Sequence, residues 1–242
     1  MITNSDLILL DAGNTFLKVA YLKDGEICVL DRVSFSENSQ LEKYFHKLKQ
    51  NPKALTSVLS AEQTLKIQSI VGNCVLLNPK SNLPIHLDYK TPETLGFDRV
   101  CNAVAISVLK NSINTVSIDI GTCIKFDFVQ DKTYKGGSIS PGIKLRYKSL
   151  HDYTAKLPLL NFSESVTLIG KSTSSSIHSG VINGIQAEIN EMIHLYEQKF
   201  VDLTFFVTGG DAQHFDFEGK NNIFANENLT LLGLYKIYQL NA

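Results

Sequence analysis

The chain has 242 residues, with 23 basic against 24 acidic side chains and a formal net charge of −1. That balance leaves no electrostatic footprint for DNA, RNA or an anionic membrane, so neither nucleic acid nor membrane is expected as a partner. At 43% hydrophobic and 19% charged residues, the composition is that of a globular protein with a substantial core, in one large domain or two modest ones.

The N-terminal stretch MITNSDLILLDAG has no basic leader, and Asp11 breaks its apolar run. It is therefore predicted to be a strand rather than a signal peptide, and no segment approaches transmembrane length. In LILLDAGNTFLKVAYLKDG the strand delivers Asp11, then Gly13, Thr15 and Lys18. A second alternating strand follows and ends at the turn Lys23-Asp24-Gly25. Residues 78–96 hold three of the six prolines and little periodicity, which predicts an extended connection. Asp98 then opens a helical pattern through Val100, Val104 and Val108. A carboxylate at a helix start serves as a cap or, beside Arg99, as a general base with the guanidinium holding an anionic substrate.

The stretch TVSIDIGTCIKFDFVQDK repeats the first device, with Asp119, Gly121 and Thr122 followed by a second strand and the turn Gln130-Asp131-Lys132. It lacks only the counterpart of Asn14. Val116, Ile118, Ile120, Ile124, Phe126 and Phe128 alternate as a half-buried strand pair should. A glycine at such a tip lets backbone N–H groups approach phosphate oxygens, the threonines add hydroxyls, and a rigidly held aspartate binds a cation. A plain Asp-Gly turn uses the same residue types. The recurrence with matched flanks favours phosphate handling and a duplicated α/β architecture, each half opening with a hairpin.

GGSISPGIKLRYKSL reads as a loop leading into a helix. GKST at 170–173 resembles the tail of a P-loop, but Ser165 stands where the first glycine is required. It is expected instead to sit before a helix, capped by the serines at 174–176 and striped by Ile177, Val181, Ile185, Ile189 and Ile193. Gly180 and Gly184 on that helix permit close packing. FFVTGGD is a buried strand running into Gly209 and Gly210, where a flat base can approach backbone. His214 reads as a surface or packing residue, and LTLLGLYKIYQL as a closing helix over the second half. The scattered Cys28, Cys74, Cys101 and Cys123 have no CxxC spacing and suit a reducing cytoplasm. No HxH or HExxH pattern supports a zinc enzyme.

The paired hairpins resemble the phosphate-binding loops of the actin, hexokinase and Hsp70-like ATPase superfamily. The remaining motifs resemble those of type III pantothenate kinases, in order along nearly the whole chain. They are DAGNTFLK at 11–18, Tyr89 with Pro92 and GFDR at 96–99, and DIGTCIKFD at 119–127. GGSISPG at 136–142, Arg146 with TAKLP at 154–158, GKST at 170–173 and TGGD at 208–211 complete the series. The resemblance implies a duplicated ribonuclease H-like (actin-like ATPase) α/β fold of two mixed-sheet halves with an intervening cleft, divided at 1–112 and 113–242. It implies a cytoplasmic homodimer that phosphorylates pantothenate with ATP to 4′-phosphopantothenate, the first step toward coenzyme A.

By the same resemblance Asp98 is the catalytic base. Asp11, Ala12, Gly13, Asn14, Thr15, Phe16, Leu17, Lys18 and Thr122 contact ATP. Tyr89, Gly96, Phe97, Asp98 and Arg99 contact pantothenate, and Thr173 faces the substrate of the neighbouring subunit. Arg146 lines the cleft and faces substrate or partner. Mg²⁺ accompanies ATP on the Asp11 side, and Asp119 holds a monovalent cation, K⁺ or NH₄⁺. Cys123 and Lys125 depart from the family's usual Ala and Thr. The alternative is a non-catalytic nucleotide-binding regulator, since the family has relatives described as accessory transcription factors; the Asp98-Arg99 pair favours the enzyme.

Overall fold

In the computed structural model, described for residues 2–35, 38–110, 112–217 and 221–242, the apolar run ending at Asp11 is strand β1 (Ile8–Ala12). The chain forms two units. One comprises Met1–Asn111, Asp131–Lys135 and Asn228–Ala242, and the other Ser112–Gln130 and Gly136–Glu227.

In the first unit β1 runs antiparallel to β2 (Phe16–Lys23), which is antiparallel to β3 (Glu26–Ser34). Asp24 and Gly25 both have positive φ, 51° and 86°, the backbone of a primed turn whose twist matches a hairpin. Helix α1 (Asn38–Lys47) leads to β4 (Lys53–Ser57), parallel to β1. Helix α2 (Ala61–Val71) follows, then β5 (Val75–Leu76), parallel to β4. The reciprocal bonds of Ser60 and Gln63 fix the start of α2 by satisfying two orphan donors. The sheet order is β3-β2-β1-β4-β5. Because β1 is paired on both edges and covered on both faces, Ile8, Leu9, Leu10 and Ala12 are all fully buried. That is why LILL is a continuous apolar run rather than an alternating one.

The connection at 78–96 is mostly extended as expected; it holds a turn closed by the Ser81 N–H on the Asn78 carbonyl at 2.9 Å, the short β6 (His86–Leu87) and a 3₁₀ turn at Pro92–Thr94. Helix α3 (Phe97–Leu109) begins one residue earlier than the apolar pattern suggests, with Gly96 as its N-cap.

The second unit opens with β7 (Asn114–Ile120), antiparallel to β8 (Cys123–Gln130), followed by β9 (Thr133–Pro141). The first residues of β9 belong to the first unit, where they pair in parallel with β6. Helix α4 (Ile143–Asp152) follows, then α5 (Thr173–His178), a π turn at Ser179–Asn183 and α6 (Gly184–Lys199). Strands β10 (Leu203–Thr208) and β11 (Ile223–Ala225) add in parallel, giving β11-β10-β7-β8-β9.

The β7–β8 pair is not half-buried as its alternation suggests. Ser117 and Asp127, opposite each other in register, are fully buried alongside Val116, Ile118 and Ile120. A central strand carries cover on both faces, so period-2 alternation here separates small or polar from large apolar residues rather than outside from inside.

The five-residue stripe from Ile177 to Ile193 is buried throughout, at 7% exposure or less. A strict four-residue repeat drifts by about 40° per step on a 3.6-residue helix. The wider π turn at 179–183 takes up part of that drift and keeps the stripe on the core.

The closing helix α7 (Leu229–Tyr238) corrects the sequence expectation: it belongs to the first unit, not the second. Gly233 packs against the backbone of Cys101 in α3, and Leu229, Leu231, Leu234 and Ile237 are fully buried. Hydrophobic periodicity names a buried face but not the surface it meets.

Candidate functional site

In the first unit the β1–β2 register sets Asp11 opposite Lys18 and Ala12 opposite Leu17, leaving residues 13–15 as the tip, with Asn14 and Thr15 exposed. The Gly13 N–H donates to the Phe16 carbonyl at 3.1 Å and closes that tip. The Lys18 ammonium donates at 2.9 Å to the side-chain oxygen of Asn228, the cap residue of α7.

Asp98 lies in the first turn of α3, where a negative charge complements the helix N-terminus. Its carboxylate accepts the Arg99 N–H at 2.8 Å, so Asp98 is not the N-cap. Gly96 holds that position, and a Cβ there would come within 2.7 Å of Asp98 Oδ1. The missing side chain at Gly96 therefore leaves room for the carboxylate of Asp98.

Cys101, one turn deeper in α3, shows that Asp98 and Asp11 converge. Burial holds its thiol well above the usual range, the charges of Asp11 and then Asp98 push it further, and a hydrogen bond with Thr56 opposes them. The end of β1 and the start of α3 thus place two carboxylates around one buried thiol. The buried Arg99 lies with its guanidinium carbon 6.0 Å from the Tyr134 ring centroid, and Tyr134 meets Tyr89 at 5.7 Å. A cation over an aromatic face in a desolvated place is held firmly, which fixes the guanidinium. The structure so brings together Asp11, Lys18, Tyr89, Gly96, Phe97, Asp98 and Arg99 within the first unit.

In the second unit Asp119 stands opposite Lys125 and Ile120 opposite Ile124. Lys125 Nζ lies 2.7 Å from Asp119 Oδ2, and both side chains are mostly buried, 16% and 13% exposed. The carboxylate that the family resemblance gives to K⁺ or NH₄⁺ therefore already faces a tethered ammonium. A second cation about 4 Å from that ammonium would be repelled by about 4 kcal/mol at an effective dielectric of about 20. The donor set present does not fit a free monovalent cation.

Two loops close on this hairpin tip. A Cβ at Gly142 would lie 2.0 Å from the Gly121 carbonyl oxygen, and one at Gly209 would lie 2.2 Å from that of Ile120. The Gly142 N–H donates to Thr122 and the Asp211 N–H to Ile120, each at 3.0 Å. These glycines are demanded by close approach of backbone to backbone. Gly121 is different: a Cβ there would meet nothing within 4 Å. The chain itself supplies no steric reason for glycine at that tip.

Other predicted residues fall elsewhere. Thr173 is exposed at the start of α5; the N-cap is Ser172, two residues before the expected serines, and Ser175, one of those serines, completes the capping box. Arg146 pairs with Glu188 of α6, which also accepts the Ser140 hydroxyl, and its Nε donates to the Pro141 carbonyl at 2.8 Å. That contact fastens α4 to α6. His214 packs tilted against Phe162, with ring centroids 4.0 Å apart and planes at 38°, beside a cavity of about 330 Å³ that also meets Lys144, Lys148 and Asp211. Among the described residues no three His, Cys, Asp or Glu side chains cluster as a metal cage. A divalent cation at Asp11 would take its other ligands from phosphate oxygens and water, as Mg²⁺ does with nucleotides.

Sequence reasoning missed Asn228, Tyr134, Cys101 and the pairing of Lys125 with Asp119. Only the last had a signal, the matched Asp-to-Lys order of the two hairpins.

The family model for type III pantothenate kinase matches residues 7–195. The type III pantothenate kinase of Christiangramia forsetii is 40% identical over 240 residues, covering 97% of this chain and 98% of that one. That of Flavobacterium johnsoniae is 38% identical, covering 96% and 97%. Among solved structures, a Campylobacter jejuni protein described as a Baf family transcriptional activator superposes with a TM-score of 0.62 at 21% identity, covering 96% and 97%. A Listeria monocytogenes protein described as an N-acetylmannosamine kinase gives 0.51 at 13%, covering 97% and 99%. At such identities these two carry the fold alone, the duplicated actin-like α/β fold with a mixed sheet in each half. The match of the family model and the near-complete coverage of the curated relatives make this chain a member of the type III pantothenate kinase family.

Proposed function

We propose that the protein transfers the γ-phosphoryl group of ATP to the primary hydroxyl of pantothenate, forming 4′-phosphopantothenate on the route to coenzyme A. The observation that carries the chemistry is the convergence of Asp98 and Asp11 around Cys101 beside the held guanidinium of Arg99. Asp98 accepts the hydroxyl proton, while Arg99 and Tyr89, with Gly96 and Phe97, hold the pantothenate carboxylate and chain. Asp11 orients the Mg²⁺ that arrives with ATP, and Lys18 with the backbone of residues 12–17 contacts the phosphates. In the second unit Thr122 and the bare backbone of Gly121 form a hairpin tip suited to phosphate. Gly209 and Gly210 receive the base.

The second reading, a nucleotide-binding regulator, leaves the spacing of Gly96 from Asp98 without a purpose. We also infer a homodimer. The support is the exposure of Leu168 and Ile169, 75% or more, a few residues before Thr173. A cytoplasmic location follows from the supply of ATP there; among the described residues no helix is long and apolar enough to cross a membrane. We retain a functional division into halves at 1–112 and 113–242, each opening with its own hairpin.

The test is turnover of purified protein with ATP and Mg²⁺ on pantothenate against a panel of sugars and short hydroxy acids. Phosphate transfer to pantothenate alone supports the reading, and transfer to a sugar overturns it.

A further inference from the structure

We propose that Lys125 supplies, from within the chain, the positive charge that the second hairpin needs, so that the protein works without a free monovalent cation. The inference rests on the proposed nucleotide role of that hairpin.

The position of Lys125 is set by backbone rather than by a flexible reach. Antiparallel register places it directly opposite Asp119, where cross-strand side chains share one face. Its ammonium is 2.7 Å from the carboxylate, and the pair is 16% and 13% exposed. Two residues from Asp119 lies Gly121, whose missing side chain faces open space, and beyond it the Thr122 hydroxyl. An ammonium has three donors and no acceptor. It can therefore hold Asp119 and keep a fixed positive charge beside the hairpin tip.

The first hairpin provides an internal comparison. It has the same Asp-to-Lys register, Asp11 opposite Lys18, but there the ammonium donates to Asn228 across to α7. The two lysines thus occupy equivalent strand positions. In the second hairpin the ammonium forms an ion pair with its own hairpin's carboxylate. Being covalently held, that charge needs no cation from solution, and its effective concentration does not vary with the salt.

The test compares wild type with Lys125→Thr, which keeps a β-forming residue and removes the charge, and with Lys125→Met, which keeps the stem. ATP affinity and turnover are each measured at constant ionic strength in sodium, potassium and ammonium chloride, and circular dichroism melting checks the fold. Wild type is expected to give equal values in all three salts. The variants are expected to lose about 10²-fold in turnover in sodium, the scale for removing one stabilising donor. They should regain ATP affinity and turnover in potassium or ammonium, which then enters the vacated place. A wild type that requires potassium overturns the proposal. So does a folded variant that matches wild type in sodium, or one that neither potassium nor ammonium restores. The ATP-affinity arm does not depend on the acceptor, so failure to phosphorylate pantothenate would defeat the proposed substrate and leave this inference separately decided.

Discussion

A Cβ added at Gly233 would lie 1.8 Å from the carbonyl oxygen of Cys101, so α7 and α3 meet backbone to backbone at that point. No rotamer change relieves a clash with main chain. Gly233→Ala must push the helices apart and disturb the fully buried Leu229, Leu234 and Val104 around them. Overpacking of this kind costs about 1–3 kcal/mol or more. The expected result is a lower urea midpoint with an unchanged m-value, and reduced turnover because α3 carries Asp98.

Gly96→Ala presents the opposite case. The atom in its way is Asp98 Oδ1, the end of a side chain that can swing aside. Stability should change little, while the displaced carboxylate loses its alignment with the substrate hydroxyl. Turnover should fall toward that of Asp98→Asn, for which loss of a general base predicts roughly 10²–10⁴-fold. ATP affinity should stay within a few-fold of wild type in both. If Gly96→Ala or Asp98→Asn turns over at the wild-type rate, the carboxylate serves the helix rather than the reaction.

Cys101 offers a chemical probe of the same region. Its thiol is raised by burial and by the neighbouring charges of Asp11 and Asp98, so the reactive thiolate is suppressed. Cys28 and Cys123 are only half-buried, and Cys74, also half-buried, has its thiol raised by burial. Native protein treated with iodoacetamide near pH 8 should be modified at Cys28 and Cys123 first, and at Cys101 only on unfolding. Mass spectrometry of a labelling time course checks the order. Early labelling of Cys101 would mean that α3 opens locally in the native state.

Both hairpins, the helix after Asp98 and the stripe from Ile177 were legible because each depends on local order: apolar period, turn residues and the spacing of Asp, Gly and Thr. The destination of LTLLGLYKIYQL was not, since its apolar residues would suit either unit, and only the fit of Gly233 onto Cys101 decides. Asn228 and Tyr134 were likewise out of reach, because their partners Lys18 and Arg99 are distant in sequence. Lys125 was read as a departure from a family pattern. Its meaning emerged only when register set it beside Asp119.

Alkaline stability should report on Tyr44. Burial, with the charge of Asp31 adding, pushes its phenol up to about 12. The folded state therefore keeps the proton that the unfolded chain gives up near pH 10. The stabilisation is complete below pH 10 and is lost as pH rises through about 12. Tyr44→Phe removes this titration, so its urea midpoint should fall less steeply than that of wild type between those limits. Parallel curves for the two proteins would show that the phenol is as free in the folded state as in the unfolded one.

The proposed dimer can be tested through its active site. Thr173 is exposed at the start of α5, and the nearby Leu168 and Ile169 are 81% and 75% exposed. Gly180, in the π turn that follows α5, has nothing within 4 Å of an added Cβ, so that face is open to a second copy. A two-fold axis would bring the same surface of each copy together, as a closed dimer requires. If Thr173 of one copy completes the pantothenate site built on Asp98 and Arg99 of the other, two different inactive chains can restore one site. Asp98→Asn removes the base and leaves Thr173 intact; Thr173→Trp blocks its neighbour's site and leaves its own Asp98 intact. Random exchange makes about half of the dimers mixed, each with one competent site, so turnover should return to about a quarter of wild type. Sedimentation and a tagged-chain pull-down establish that exchange has occurred. Exchange without recovered turnover, or an active monomer, would confine the substrate site to a single chain.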